Sequence, residues 1–169
     1  MKKVLMLLLV AFIFAGCSNF KKVITIPQST IQEALNKAFP FDKNAVIARI
    51  IFSDPEVYLK DPSIGMKMMY VGNFMEKEVQ GDIDVNGHLV YREGAFYLNG
   101  FQVVNFTVAE KEFSSDGRLK KVILKILQNY VDKYPIYKLK QADFKQSLAR
   151  LLLKDVVIFN DELVVTIGL

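Results

Sequence analysis

Apolar and polar residues alternate with a period of two through the middle of the chain. Val79, Gly81, Ile83, Val85, Gly87, Leu89 and Tyr91 share one parity, and Gln80, Asp82, Asp84, Asn86, His88 and Arg92 share the other. Alternation of this kind predicts a strand with one face buried and one face wet. Neighbouring stretches read the same way. Ala45–Leu59 is rich in Val, Ile and Phe, with Asp54-Pro55 as a bulge or break, and Ile64–Met75 and Ala95–Val108 are further strands. Short polar segments, Asp61-Pro62-Ser63, Glu76-Lys77-Glu78 and Arg92-Glu93-Gly94, turn the chain between them. Four long strands with short turns predict an antiparallel meander.

The period changes to 3.6 on either side. A short strand, Val23–Ile26, precedes a helix capped by Ser29 or Thr30 and running to Phe39, with Ile31, Leu35, Ala38 and Phe39 on one face and Pro40 beyond. A longer helix is predicted from Ser115 or Asp116 to Tyr134. Its apolar face holds Leu119, Val122, Ile123, Ile126, Leu127, Tyr130, Val131 and Tyr134, and Pro135 stops it. Ile136–Leu139 reads as a short strand and Asp143 as the cap of a helix over Phe144–Leu153. Val156–Phe159 and Leu163–Ile167 form a hairpin around Asn160-Asp161-Glu162. No linker interrupts residues 23–169, so one domain is expected. The class is α+β: a large antiparallel sheet whose apolar face is covered by one long amphipathic helix.

The first residues follow different rules. Met1-Lys2-Lys3 is basic, Val4–Phe14 is an unbroken apolar run of eleven residues, and Ala15-Gly16 are small. Together these describe a secretory signal peptide over residues 1–16. The run falls short of the roughly 20 apolar residues a spanning helix needs. Cys17, the single cysteine, follows immediately, and "FAGC" resembles the lipobox of bacterial lipoproteins. That resemblance implies diacylation of the Cys17 thiol, cleavage before it, and a lipidated tether over residues 17–22. Two or more acyl chains make a stable anchor. Ser18, in place of the Asp that tends to hold lipoproteins at the inner membrane, favours a periplasm-facing position on the outer membrane.

Charge and chemistry narrow the function. The net charge of +4 becomes +2 once Lys2 and Lys3 are removed, too weak for nucleic-acid binding. "DIDVNGHLVYRE", residues 82–93, fits the calcium loop of an EF-hand through Asp82, Asp84, Asn86 and Glu93. Its flanks read as strand, so a solvated strand face accounts for the same letters. His88 is the single histidine; catalysis or metal binding needs partners, and on the wet face of a strand it reads as a surface residue. No nucleophile-elbow, zincin, Walker or dinucleotide motif occurs, and neither an enzyme nor a cofactor is expected. Outside the signal peptide the methionines, Met66, Met68, Met69 and Met75, fall in one predicted strand, and methionine suits surfaces that accept variable apolar partners. Gly81 and Gly87 leave room on the apolar face of the next strand. The expected groove is lined by Met66, Met68, Gly81, Ile83, Val85, Gly87, Leu98, Phe106, Ile123 and Leu127. Arg118, Lys120, Lys121, Lys125 and Lys133 make the long helix basic, which suits anionic headgroups as well as plain solvation.

The whole pattern resembles the small bacterial lipoproteins of unknown function assigned to the tubular lipid-binding (TULIP) superfamily. The matching pieces are the lipobox, "VITIPQSTIQEALNKAF", "EGAFYLNGFQVVNFTV", the helix ending in "YPIYKL" and the hairpin "VVIFNDELVVTIGL". The resemblance implies a long curved meander wrapped around the helix and enclosing an apolar channel, and supplies no catalytic residues. The expected function is binding of lipid or another apolar ligand by a membrane-anchored lipoprotein. The alternative is a non-enzymatic scaffold with a self-filled core and a protein partner that the sequence leaves open.

Overall fold

A computed structural model describes residues 21–45, 48–110, 113, 117–140, 142–143, 146–147, 149 and 152–168. The signal peptide, the lipobox and Cys17 lie outside the described residues, as do the predicted caps Ser115 and Asp116. The architecture is α+β. A six-stranded antiparallel sheet follows chain order through β2 (Phe41–Ala45), β3 (Ala48–Lys60), β4 (Ser63–Phe74), β5 (Lys77–Arg92), β6 (Ala95–Phe106) and β7 (Tyr137–Lys138). Among the described residues two complete helices, α1 (Gln28–Ala38) and α2 (Gly117–Val131), stand around it, and residues 146, 147, 149 and 152 are also helical.

A second sheet joins the two ends of the chain. Its order is β1 (Lys21–Pro27), β9 (Glu162–Gly168), β8 (Leu153–Phe159), all antiparallel. The hairpin β8–β9 is the one the sequence predicts, turning at Asn160 and Asp161 with φ of 49° and 57°. A two-residue loop with both residues left-handed is the turn that matches strand twist. The pairing of β1 with β9 has no local signal, because its partners sit some 140 residues apart in the chain (Ile24 with Val165, 165 − 24 = 141).

Alternation becomes burial where predicted. In β5, Val79, Ile83, Val85 and Gly87 are buried, while Gln80, Asp82 and His88 are exposed. The Asp54-Pro55 expectation is met by a register shift in β3 between Ser53 and Glu56. Several boundaries differ: β1 begins at Lys21, inside the expected tether, and β6 ends at Phe106 rather than Val108. Residues 45–59 are not one strand, since β2 ends at Ala45 and β3 begins at Ala48. α1 starts at Gln28 after Pro27, with no side-chain cap, instead of from Ser29 or Thr30. Proline pre-sets the backbone there and sacrifices no needed N–H. α2 ends at Val131, three residues before Tyr134, and Leu153 belongs to β8 rather than to a helix. Within that last predicted helix, Asp143 Oδ1 accepts from the Gln146 amide at 3.3 Å, as a cap would.

α1 lies along the part of β3 that β2 leaves uncovered. β2 pairs only with residues 48–52 of β3. Beyond them, Gln32 Oε1 accepts from the Val57 amide at 2.9 Å and Gln28 Oε1 from the Leu59 amide at 3.0 Å. Two glutamines thus take the place of a neighbouring strand, because open edge amides need partners. α2 buries Leu119, Ile123, Ile126, Leu127, Tyr130 and Val131. Near its start Lys120 lies over the Phe106 ring of β6, and near its end Tyr130 stacks on Phe41 of β2, so the helix crosses the sheet. One continuous apolar core takes side chains from both sheets and both helices.

Candidate functional site

The residues expected to line a groove are gathered by the fold, and they form packed core. Met66, Met68, Ile83, Val85, Leu98, Ile123 and Leu127 are each at most 2% exposed. Phe106 is half-buried and stacks on Tyr70 with ring centroids 5.6 Å apart. The two glycines open no space. A Cβ on Gly81 would collide with the Thr107 carbonyl, and one on Gly87 would stand 2.8 Å from the Asn99 carbonyl oxygen and 2.9 Å from Leu98 Cδ1. They are small because the chain of β6 and its continuation approaches β5 closely there. The methionines divide as strand parity requires. Met66 and Met68 point inward, Met69 points outward, and Met75 occupies the β4–β5 turn with φ 51°.

The acidic stretch is strand as far as Arg92, with no helix on either side. Asp82 and Asp84 are engaged by neighbours. Tyr58 Oη donates to Asp84 Oδ1 at 2.7 Å, and Thr107 Oγ1 donates to Asp82 Oδ2 at 3.2 Å. Burial, then the hydrogen bond and charge of Asp84, pushes the Tyr58 phenol up to about 12. Among the described residues no group of three or more His, Cys, Asp or Glu side chains is placed to hold a metal ion.

An amphiphilic cavity lies elsewhere, between the outer strand β2 and the C-terminal half of α2. This cleft of about 600 Å³ has Val122, Ile126, Tyr130 and Ala45 as its apolar lining, with Lys43, Lys125 and Lys133 and the amides of Asn44 and Asn129 around them. Helical spacing builds one wall: Lys125 and Asn129 follow one another by four residues, Val122, Ile126 and Tyr130 form the adjacent row, and Lys133 stands in the turn just past the end of α2. Strand parity builds the other. Phe41, Lys43 and Ala45 share one face of β2, and Phe41 is core, so Lys43 stands on the side that faces α2. Its Nζ lies 5.8 Å from the centre of the Tyr134 ring, a cation–π distance.

An aromatic column forms the inner end of the cleft. Phe52 stacks on Phe41 at 4.7 Å, Phe41 on Tyr130 at 3.7 Å, and Tyr130 on Tyr134 at 4.9 Å. Burial, then the proximity of Tyr134, raises the Tyr130 phenol. The column begins in the core and ends at Tyr134, which is 47% exposed. Beyond the Tyr130–Tyr134 pair a second cleft of about 380 Å³ carries Lys37, Lys138 and Lys140 with one carboxylate, Glu33. Asp42 and Asp132, near the first cleft in sequence, are held elsewhere. Arg49 Nε donates to Asp42 Oδ2 at 3.0 Å and holds its carboxyl below the usual range, and Gln128 Nε2 donates to Asp132 Oδ1 at 2.7 Å.

Sequence reasoning named Lys125 and Lys133 on the basic helix but missed Lys43, because "FDKNA" carries no strand alternation strong enough to put it on an inward face. Tyr130 and Tyr134 were legible only as part of the apolar helix face. The features now in place define a class: an α+β protein built on an antiparallel meander, with a filled core and a lysine-rimmed cleft at the sheet's edge. Residues 26–162 match the family described as Protein of unknown function (DUF1439), and the chain belongs to that family. A comparison with curated proteins gives no match.

Proposed function

We propose that the protein is a non-catalytic, membrane-anchored lipoprotein of the outer membrane that binds a lipid or another amphiphile from the periplasmic side. The observation that carries this reading is the cleft between β2 and α2, whose apolar floor and polar rim stand side by side in about 600 Å³. That size is within the range of small-ligand sites, which are mostly apolar with a few placed polar groups. The seat of the ligand is this cleft rather than the sheet–helix interior. The anchoring part of the proposal rests on the lipobox and Cys17. A tubular lipid-binding arrangement, with the meander curving around α2, belongs to the same proposal and is supported by α2 crossing from β6 to β2.

The test is to extract non-covalent lipid from the full chain, purified in neutral detergent, and to quantify it by mass spectrometry. Ala45→Trp, at an exposed position on the cleft wall, is expected to fill the cleft and lower the recovered lipid at least tenfold while leaving the melting temperature unchanged. Wild-type protein that carries no lipid would refute the reading. A scaffold function would then take its place, favoured by the filled space beside Gly81 and Gly87.

A further inference from the structure

The rim of the β2–α2 cleft is cationic without compensation. Three lysines line it and no carboxylate does. The neighbouring cleft adds three more lysines against Glu33 alone. All six cations are lysine, although the chain also contains arginine. Arginine's planar fork suits bidentate carboxylate pairing, whereas lysine acts as a point charge and is a common phosphate ligand. Asn44 and Asn129 add amide donors at the same rim, and their N–H groups can bond the oxygens that lysines neutralise.

Lys43 is the most informative member. Its position on β2 is one that parity gives to the inward face, between Phe41 and Ala45 and opposite Ile50, which is fully buried. An apolar residue would extend the core there. A lysine instead places an ammonium at the mouth of the cleft, beside the exposed ring of Tyr134. Strand β2 and helix α2 therefore direct cations from opposite walls at one space with an apolar floor.

We infer that the cleft formed by Lys43, Lys125 and Lys133 over Val122, Ile126 and Tyr130 holds a phosphate group, the headgroup of the amphiphile proposed above. The inference rests on that reading for the apolar part of the ligand and on charge complementarity for the phosphate. The competing role for Lys125 and Lys133 is structural, because cations near a helix C-terminus are favoured by its dipole. That role predicts an effect on stability without any headgroup preference.

Native mass spectrometry of the full chain, released from neutral detergent, counts bound ligands directly. The probes are phosphatidic acid, phosphatidylcholine with the same acyl chains, and glycerol 3-phosphate. Wild-type protein is expected to retain phosphatidic acid roughly tenfold more than phosphatidylcholine, consistent with a few exposed charge contacts. Lys125→Gln with Lys133→Gln should remove that preference while keeping the phosphatidylcholine adduct. Lys60→Gln with Lys121→Gln, outside the cleft, should leave the preference intact. Equal retention of both lipids overturns the phosphate inference and leaves lipid binding standing. Loss of melting temperature in the Lys125/Lys133 variant with an unchanged preference also overturns it, in favour of the dipole role. No adduct of either lipid, with none of glycerol 3-phosphate, overturns both readings. Lysine-dependent binding of glycerol 3-phosphate as strong as that of phosphatidic acid upholds the phosphate site and removes the apolar part of the ligand.

Discussion

At the scale of single residues, Gly81 and Gly87 serve contact between chain segments. A methyl group at Gly81 meets the Thr107 carbonyl, which is held by Tyr70 Oη donating to it at 2.7 Å and by the Thr107 N–H donating to the Asp82 carbonyl at 2.9 Å, so the neighbour cannot withdraw. At Gly87 one of the close neighbours is the end of the Leu98 side chain, which can shift. Gly81→Ala is therefore expected to destabilise by about 1–3 kcal/mol and Gly87→Ala by less, read as the difference in urea midpoint. Tyr58 supports a second prediction. Its folded pKa of about 12 stands above the ordinary value near 10 of an unfolded chain. The stability linked to it is fully present below about pH 10 and is lost as pH rises through about 12. Burial of the Tyr70 phenol acts in the same direction. Asp84→Asn removes the charge but keeps an amide oxygen that can accept from the Tyr58 hydroxyl, and leaves the burial. Phenolate absorbance should then show Tyr58 titrating lower than in wild type, though still above an exposed tyrosine. An unchanged titration would show that Asp84 has no hold on this phenol.

At the scale of elements, turns and substitutes for missing strands matter most. The β4–β5 hairpin turns at Met75 and Glu76, with φ of 51° and 66°. Left-handed backbone costs an ordinary L-residue roughly 1–2 kcal/mol, and Asn-Gly is the pair best suited to such turns. Met75→Asn with Glu76→Gly is expected to stabilise the protein by about 1 kcal/mol, seen as a higher melting temperature. A lower one would mean that the Met75 side chain contributes more than the strain it brings. The α1–β3 contact is the opposite case, since its glutamines complete an edge. Gln32 accepts from Val57 and also donates to Asn36 at 2.7 Å. Gln32→Leu leaves the Val57 amide without its partner, at a cost of about 1–3 kcal/mol. Amide exchange should accelerate locally at Val57 before it does in the β4–β5 pairing. Equal protection in the variant would show that α1 is held by apolar contacts alone.

At the scale of the whole molecule, the proposed anchor and the cleft have separate determinants. Cys17→Ser is expected to abolish incorporation of labelled palmitate and to shift the chain out of the membrane fraction. Equal label in mutant and wild type would remove the anchor from the proposed function. No helix among the described residues is long and apolar enough to cross a membrane. The continuous core, which includes Ile24 and Ile26 of β1 with Leu163, Val165 and Ile167 of β9, closes the first strand against the last. Removing β9 would expose Ile24 and Ile26 as well as its own buried side chains.

Local pattern determined the elements. Parity along Val79–Tyr91 gave a half-buried strand, and the spacing from Leu119 to Val131 gave the helix face that is buried. These follow from sequence because side-chain direction repeats every two residues in a strand and every 3.6 in a helix. Asn160-Asp161 marked its own turn for a similarly local reason. The tertiary structure decided what each face meets. Nothing near Gly81 in sequence reports that Thr107 lies against it, so a missing side chain read as space when it marks contact. Pairing of β1 with β9 depends on residues at opposite ends of the chain. The cleft needs both kinds of information. Lys125 and Asn129 share a face by helical period alone, whereas Lys133 joins them from the turn past α2 and Lys43 only because β2 pairs with β3 and α2 packs its Tyr130 on Phe41. Convergence of like charges on one cavity is a property of distance through space, and linear sequence fixes that distance only within a single element.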